Sequence, residues 1–524
     1  MGLWSAYFLA KLALYARGDM DFNPWLNLAL AILTALPARD ARQRFTKNLI
    51  AVPLGILLLY HDSWLPPLPR AIEDIRNLST FSAAYLWELA GRLVSWQLVL
   101  GVAIMAVLYS LARRKLRLST FVFVGILAVL VAPEAKYLAF ASPQKVTGTP
   151  AAAQREDVDL APAALDDHLA QFYAQQKQVQ IRFAHPASDD PAFDIVILHV
   201  CSLSWDDLRT LQVGPDALFA GFDVLLTNFS SGASYSGPAA IRVLRGVCGM
   251  TPEARLYDPA GNGCLVIDGL QEAGFAPQWA MNHDGHFGNF FADVRDRGGL
   301  AVPLADNRGA AQAETAFDGT PVYSDYSVLS RWWAKRLTNP TPRIVLYYNS
   351  ISLHDGNRVL LGAHADASYG ARFANFSSDI TRFLDLLKAS RRRVVVVLVA
   401  EHGAALRGDR RQIRGMREIP TAAIARVPVA IALINAPRAA SATQSKIDVP
   451  VSYPAVNEIL SRFISHNPFA APVESLGDYV ETLPQTPFVA ENNGTIVIQA
   501  GTHYMMRSPD GAWSSLDGID AHLP

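Results

Sequence analysis

The stretch Phe193–Val200 reads FDIVILHV and runs into Cys201-Ser202. Apolar residues occupy successive positions in it, so a strand formed there would be covered on both faces. Phe222–Leu226, Ile344–Tyr348, Val394–Val399 (VVVVLV) and Val429–Ile434 have the same character. Helical patterns fall between them, at Ala239–Arg245, Phe373–Leu387 and Tyr453–Ser465. Buried parallel strands alternating with helices predict an α/β sandwich. Upstream, Leu165, Leu169, Phe172 and Tyr173 share a helical face within Leu165–Val179, and that helix is expected to pack on the domain. Downstream, Thr495–Ala500 and Tyr504–Trp513, around Asp510-Gly511, predict a β-hairpin.

In an open α/β sheet, ligands collect beyond the carboxyl ends of the strands. Read in that way, the strand ends deliver Cys201-Ser202, the turn Thr227–Gly237 (TNFSSGASYSG), the segment Asn349–Asn357 (NSISLHDGN), and Glu401-His402-Gly403. Cys201, Glu401 and His402 form a candidate metal site, because thiolate, carboxylate and imidazole all suit zinc and three ligands leave an open position. Taken singly, each has a plainer reading as a buried cysteine or a helix cap. Their joint placement at strand ends favours the metal.

Ser236-Gly237-Pro238 begins a helix, with proline in the first turn where its missing N–H does no harm. A phosphate at Ser236 would face free backbone N–H groups, so Ser236 is the candidate nucleophile, with a simple helix cap as the alternative. Tyr235 either orients a donor or packs beside the turn. Asn282–His286 (NHDGH) is polar enough to line the cleft, and either histidine serves that reading equally. Arg407, Arg410, Arg411, Arg414 and Arg417 crowd one loop, which is either solvated or an anion site with Arg417 the foremost candidate.

The chain has 524 residues, of which 51% are hydrophobic, and a net charge of -1. A near-neutral balance gives no global field for nucleic acid, and none is expected as a partner. The apolar excess sits before residue 140. Asn48–Tyr60, Leu93–Ala112 and Leu118–Ala139 read as membrane segments, the last two approaching the ~20 residues a crossing needs. Ala6–Ala16 and Leu26–Pro37 are shorter and suit either a span or an interfacial position. A cleaved signal peptide at Met1–Arg17 is disfavoured, since no basic segment precedes the apolar run. Arg39, Arg42, Arg44 and Lys47 form one basic cluster, and Arg113, Arg114, Lys115 and Arg117 another. Placing both in the cytoplasm predicts about five transmembrane helices over 1–140, a linker over 141–162, and a catalytic domain over 163–524 outside the cytoplasm. Of three cysteines, Cys248 and Cys264 are then expected to form a disulfide, leaving Cys201 for metal.

The ordered set of Cys201, Ser236 and Glu401-His402 resembles the alkaline phosphatase/sulfatase superfamily. Within it, CSLSW at 201–205, SYSGPAAIR at 234–242, LHDGN at 353–357, Glu401–Gly403 and REIP at 417–420 resemble the phosphoethanolamine transferases of bacterial cellulose secretion. The resemblance implies N-terminal transmembrane helices followed by a sulfatase-like α/β sandwich, in the bacterial inner membrane with its catalytic domain in the periplasm. It implies zinc on Cys201, Glu401 and His402, Ser236 as nucleophile and fourth contact, His354 as a catalytic histidine, Arg417 on the substrate side, and Tyr235 beside them. It further implies phosphatidylethanolamine as donor, cellulose as acceptor, and membrane lipid and cellulose synthase subunits as partners. The wider superfamily has aspartate where Cys201 stands, and a softer thiolate suits zinc. Ala240 occupies the place of the arginine in the sulfatase signature, which counts against sulfate esters. Transfer to another envelope acceptor such as lipid A, a glycerol-phosphate polymerase, and an idle scaffold of the synthase complex are the alternatives, and a second metal near His354 is left open.

Overall fold

Seven strands form the central sheet of the computed structural model, which describes residues 2–17, 20–63, 80–93, 96–112, 116–131, 159–361, 364–437, 443–472 and 475–518. Their spatial order is Ser445–Ile447, Val224–Ser230, Arg426–Ile434, Val394–Ala400, Asp194–Val200, Ile344–Ser350 and Ala276–Met281. Asp194–Val200 runs parallel to both its neighbours, while Arg426–Ile434 is antiparallel to its own. Every residue of the three strands beginning at Asp194, Ile344 and Val394 is buried, so helices cover both faces as the unbroken apolar runs require. The core joins Val196, Leu198, Val396 and Leu398 to Phe376, Ile380 and Phe383 of the helix Tyr369–Ala389 and to Leu460 and Phe463 of the helix Tyr453–Ser465. The expected α/β sandwich is the fold found.

Register sets the edge that matters. Val200 pairs with both Ser350 and Ala400, so the next residue of each strand emerges on one level. Cys201 N donates to Ser350 O at 2.9 Å and Glu401 N to Val200 O at 2.8 Å, carrying the ladder one step past the strands.

Two smaller sheets flank this core. The C-terminal one is antiparallel, over Val489–Asn492, Thr495–Ala500, His503–Arg507 and Trp513–Ser515. The hairpin expected around Asp510-Gly511 is present, between His503–Arg507 and Trp513–Ser515, and Thr495–Ala500 pairs antiparallel with the first of these strands. Pro509 cannot donate to a ladder and Gly511 has φ +90, so Ser508–Ala512 turns the chain. The predicted helix is Pro162–Gln176, and its Leu165, Leu169 and Phe172 pack on Val489, Ile498 and Met505 of this sheet. The other small sheet, Gln312–Thr315, Pro321–Tyr323, Arg358–Leu361 and His364–Asp366, was not anticipated. Cys248 and Cys264 form the expected disulfide with Cα atoms 5.3 Å apart, and Cys201 is a buried free thiol. Closing that loop contributes about 3 kcal/mol in the chain-entropy picture.

The N-terminal region folds as the helices Trp4–Arg17, Pro24–Ala35, Ala41–Asp62, Ala83–Leu93, Trp96–Ala112 and Leu118–Val131. Among the described residues no helix is long and apolar enough to cross a membrane. The segment expected at Asn48–Tyr60 lies inside Ala41–Asp62, whose first turns carry Arg42, Arg44 and Lys47. The end of the segment expected at Leu118–Ala139, the linker up to residue 158, and Arg113, Arg114 and Lys115 lie outside the described residues. Lys11, fully buried, ties the first three helices together through Asp62 at 2.6 Å and Asn27 at 2.9 Å.

Candidate active site

Four strand-end side chains converge at the carboxyl edge. Cys201 Sγ lies 3.4 Å from Ser236 Oγ and 3.8 Å from His402 Nε2, and Ser236 Oγ lies 3.3 Å from His402 Nε2. Glu401 Oε2 is 3.8 Å from His402 Nε2. One ligand atom each from Cys201, Glu401 and His402 falls within 4.8 Å of the others, and all three residues are buried. Ser236 opens the helix Ser236–Leu244, with Tyr235 at its cap and Pro238 in its first turn.

The surroundings aim these atoms. His402 Nδ1 sits 2.9 Å from Gly403 O, a carbonyl that can only accept, so Nδ1 carries the proton and Nε2 presents a lone pair to the centre. Asn349 Nδ2 donates to Glu401 Oε1 at 2.6 Å, and Asn349 Oδ1 faces His283 Nε2 at 2.8 Å. His199 Nδ1 is 3.3 Å from the same carboxylate oxygen and 2.9 Å from the Tyr347 hydroxyl. Glu401 Oε2, buried, has no hydrogen-bond partner among the described residues. Asp207 Oδ2 accepts from Ser204 N, Ser204 Oγ and Ala404 N at 2.8–2.9 Å, stitching the loop after Cys201 to the loop after His402. Gly403 has to be glycine there: a Cβ would stand 2.6 Å from Ser204 Oγ.

Burial pushes the Cys201 thiol up to about 12, with the Glu401 charge adding to it. Burial also pushes the Glu401 carboxyl up to about 7 against the hydrogen bonds it accepts. His402 is held well below its ordinary range by burial and by Arg417. Thiol, carboxyl and imidazole packed this closely are stable together only as neutral groups or around a cation. An orphaned carboxylate oxygen and an imidazole lone pair aimed at one point beside a thiol are ligand types that zinc accepts, and the residues fit that ion.

The remaining candidates separate. Arg417 is buried, its guanidinium 5.0 Å over the Tyr235 ring, with Nε and Nη1 unpartnered among the described residues. Arg407, Arg410 and Arg414 are exposed, Arg407 pairing with Asp206, and Arg411 bonds Ser514 Oγ and Ser515 O. Tyr235 donates to Glu418 Oε1 at 2.6 Å. His354 stacks on Phe317 with centroids 4.7 Å apart, its Nδ1 lies 2.7 Å from Asp355 O, and burial together with Arg417 lowers its pKa to about 4. Of the two histidines in Asn282–His286, His283 joins the Asn349 network while His286 is exposed beside Asp284.

His199, Asn349, Asp207 and Glu418 carried no role in the sequence reading. His199 and Asn349 are register partners, and the visible signal was a polar residue next to the end of each buried strand.

Two family models cover nearly the whole chain: the Cellulose biosynthesis protein BcsG N-terminal domain matches residues 4–131, and the corresponding C-terminal domain matches 149–513. The chain is 33% identical to the Cellulose biosynthesis protein BcsG of Salmonella typhimurium over 532 residues and to that of Escherichia coli K12 over 533, each time covering 97% of this chain and 95% of the relative. Among solved structures, a protein in the alkaline phosphatase superfamily from Vibrio parahaemolyticus aligns at 15% identity and a TM-score of 0.48, over 67% of this chain and 87% of that one. Matched through both domains and at one third identity over nearly its full length, this chain belongs to the BcsG family of cellulose biosynthesis proteins.

Proposed function

We propose that this chain is a zinc-dependent phosphoethanolamine transferase that moves the headgroup of phosphatidylethanolamine onto glucosyl 6-hydroxyls of secreted cellulose. The observation that carries the reading is the meeting of Cys201 Sγ, Ser236 Oγ and His402 Nε2, all within 3.8 Å of one another, beside the unpartnered Glu401 Oε2. Cys201, Glu401 and His402 would hold the zinc with Ser236 as a fourth contact, and the bound ion supplies Lewis acidity that lowers the pKa of the serine hydroxyl. Ser236 Oγ forms a bond to phosphorus as the bond from phosphorus to the diacylglycerol oxygen breaks. The N–H groups opening the helix Ser236–Leu244 and the free donors of Arg417 face the phosphoryl oxygens. His354, neutral above about pH 4, takes the proton that the Ser236 hydroxyl gives up and delivers it to the departing diacylglycerol oxygen. In the second half the glucosyl hydroxyl attacks the same phosphorus as the bond to Ser236 Oγ breaks, and His354 accepts the glucosyl proton and returns it to the Ser236 oxygen. Tyr235, fixed by Glu418, keeps the phosphate end of the donor in line.

The N-terminal helices we read as the inner-membrane region, which keeps the enzyme beside a donor that never leaves the bilayer. The Cys248–Cys264 disulfide supports a periplasmic catalytic domain. Cellulose synthase subunits are the expected neighbours.

Two measurements test the reading. Mass spectrometry of the full chain in vesicles containing phosphatidylethanolamine, without acceptor, should find one phosphoethanolamine group on Ser236, discharged when cello-oligosaccharide is added. A label elsewhere, or none, sinks it. Zinc uptake should also release protons: about one above pH 7, from the Cys201 thiol, and a second below it, as Glu401 begins to hold one. Affinity measured by chelator competition therefore falls as pH falls, and more steeply below pH 7 than above. A flat profile would show that these two groups are not the ligands.

A further inference from the structure

The helix Ala83–Leu93 lies against the catalytic domain, beside two loops of the active site. Arg92 donates to Asp355 Oδ2 at 2.6 Å and to Asp355 Oδ1 at 2.8 Å, and Asp355 follows His354. Tyr85 donates to the same carboxylate at 3.1 Å, and its ring closes over Gly356, where a Cβ would stand 2.6 Å away. Glu88 bridges Arg92 and Arg358 at 2.7 and 3.1 Å. Phe81 and Tyr85 pack on Phe317, the ring stacked on His354. Gly415, two residues before Arg417, leaves room for the Arg92 guanidinium: a Cβ there would be 2.6 Å from Nη1. One face of the helix thus grips the loops that carry His354 and Arg417.

Its other face carries no charge. Ala83, Ala84, Leu86, Trp87, Ala90 and Gly91 are exposed, Trp87 by 83%. The helix Trp96–Ala112, without a charged residue, follows almost at once, and exposed Phe287, Leu360 and Ile413 belong to domain segments next to the gripped loops. A helix with charges turned inward and an outward tryptophan among small apolar residues has the make-up of an element lying at a bilayer interface.

We infer that Ala83–Leu93 seats the catalytic domain on a phospholipid surface, its Arg92–Asp355 latch turning the active-site mouth toward the lipid. The inference rests on the proposed lipid donor for its purpose, though not for its geometry. Arg92 is a positioning residue and Trp87 a lipid contact. The seat governs capture of a membrane-borne donor and leaves the bond-making step alone.

The test uses the full chain in vesicles. Brominated phosphatidylcholine should quench Trp87 fluorescence, taken as the difference between wild type and W87F. In W87Q, labelling of Ser236 from vesicle phosphatidylethanolamine should slow by about ten-fold or more through a raised KM, while labelling from soluble glycerophosphoethanolamine stays within about two-fold; R92A should slow the vesicle reaction at least as much. Arg92→Lys should recover part of the loss. An unquenched Trp87, or in W87Q an equal fall with both donors or no fall with either, overturns the inference. Failure of the wild type to label Ser236 from any donor would overturn the transferase reading instead, and the quenching result would still decide the seat.

Discussion

Ser236→Ala should abolish the phosphoethanolamine-enzyme adduct and lower glucan modification by about 10^4-fold or more, as loss of a covalent nucleophile does. The structure makes this a clean experiment. The Ser236 hydroxyl touches Cys201 Sγ and His402 Nε2, and the cap of its helix is Tyr235, which makes no side-chain capping bond. Alanine is also the better helix former, so the fold loses little and thermal stability should move by less than about 1 kcal/mol. Cys201, Glu401 and His402 are untouched, so zinc content should persist. Full metal, full stability and no transfer is the expected signature. Retained modification in S236A would mean that the acceptor attacks the lipid directly, and the double displacement would be abandoned. His354→Ala should fall less steeply, by about 10^2- to 10^4-fold, because it removes a proton carrier and leaves the reacting pair in place.

The sequence and the structure agree where a single physical rule decides the outcome. A run such as VVVVLV at 394–399 has no solvent face, so it becomes an interior strand in any fold that buries it. Once the strands are placed, the residues after them must share an edge, which is how Cys201, Ser236, Glu401 and His402 could be gathered from stretches far apart in the chain. The rule stops at the strand end. His199 sits before that point, and Asn349, first beyond the apolar run Ile344–Tyr348, is still within the observed strand; their meeting depends on register across Asp194–Val200 and Ile344–Ser350, which hydrophobicity in a fully buried strand does not specify. The helix Ala83–Leu93 was hidden for another reason. Apolar residues outweigh charged ones in AAYLWELAGRL, so composition merges it with the membrane region, while its docking follows from where Glu88 and Arg92 find Asp355 and Arg358. Partners distant in sequence leave no local signature. The small sheet around Gln312–Thr315 escaped similarly, its strands being too short to show a period.

Asp194→Ala is the substitution expected to cost the most stability. Asp194 opens the central strand and accepts from Arg336 Nε and Nη2, both at 2.9 Å, from Arg392 Nε at 2.5 Å and from Ile344 N at 2.9 Å. Arg336 is wholly buried, so removing the carboxylate strands a guanidinium without water, a loss of about 3–5 kcal/mol. The remaining acceptors of Arg336, Asn339 O, Thr341 O and Pro342 O, carry only partial charge and cannot balance it. Urea unfolding of the full chain, followed by tryptophan emission, should show the midpoint fall well below wild type. The position also separates stability from chemistry. Cys201 lies just past the far end of the strand, about 23 Å away at the usual rise per residue, so protein that remains folded should still label Ser236 at the wild-type rate. Replacing both partners, in D194L/R336L, should recover much of the loss, since an apolar pair leaves no charge to solvate. If D194A unfolds no earlier than wild type, Arg336 must have a counter-ion or water that compensates for the carboxylate, and the central strand would owe its place to apolar packing alone.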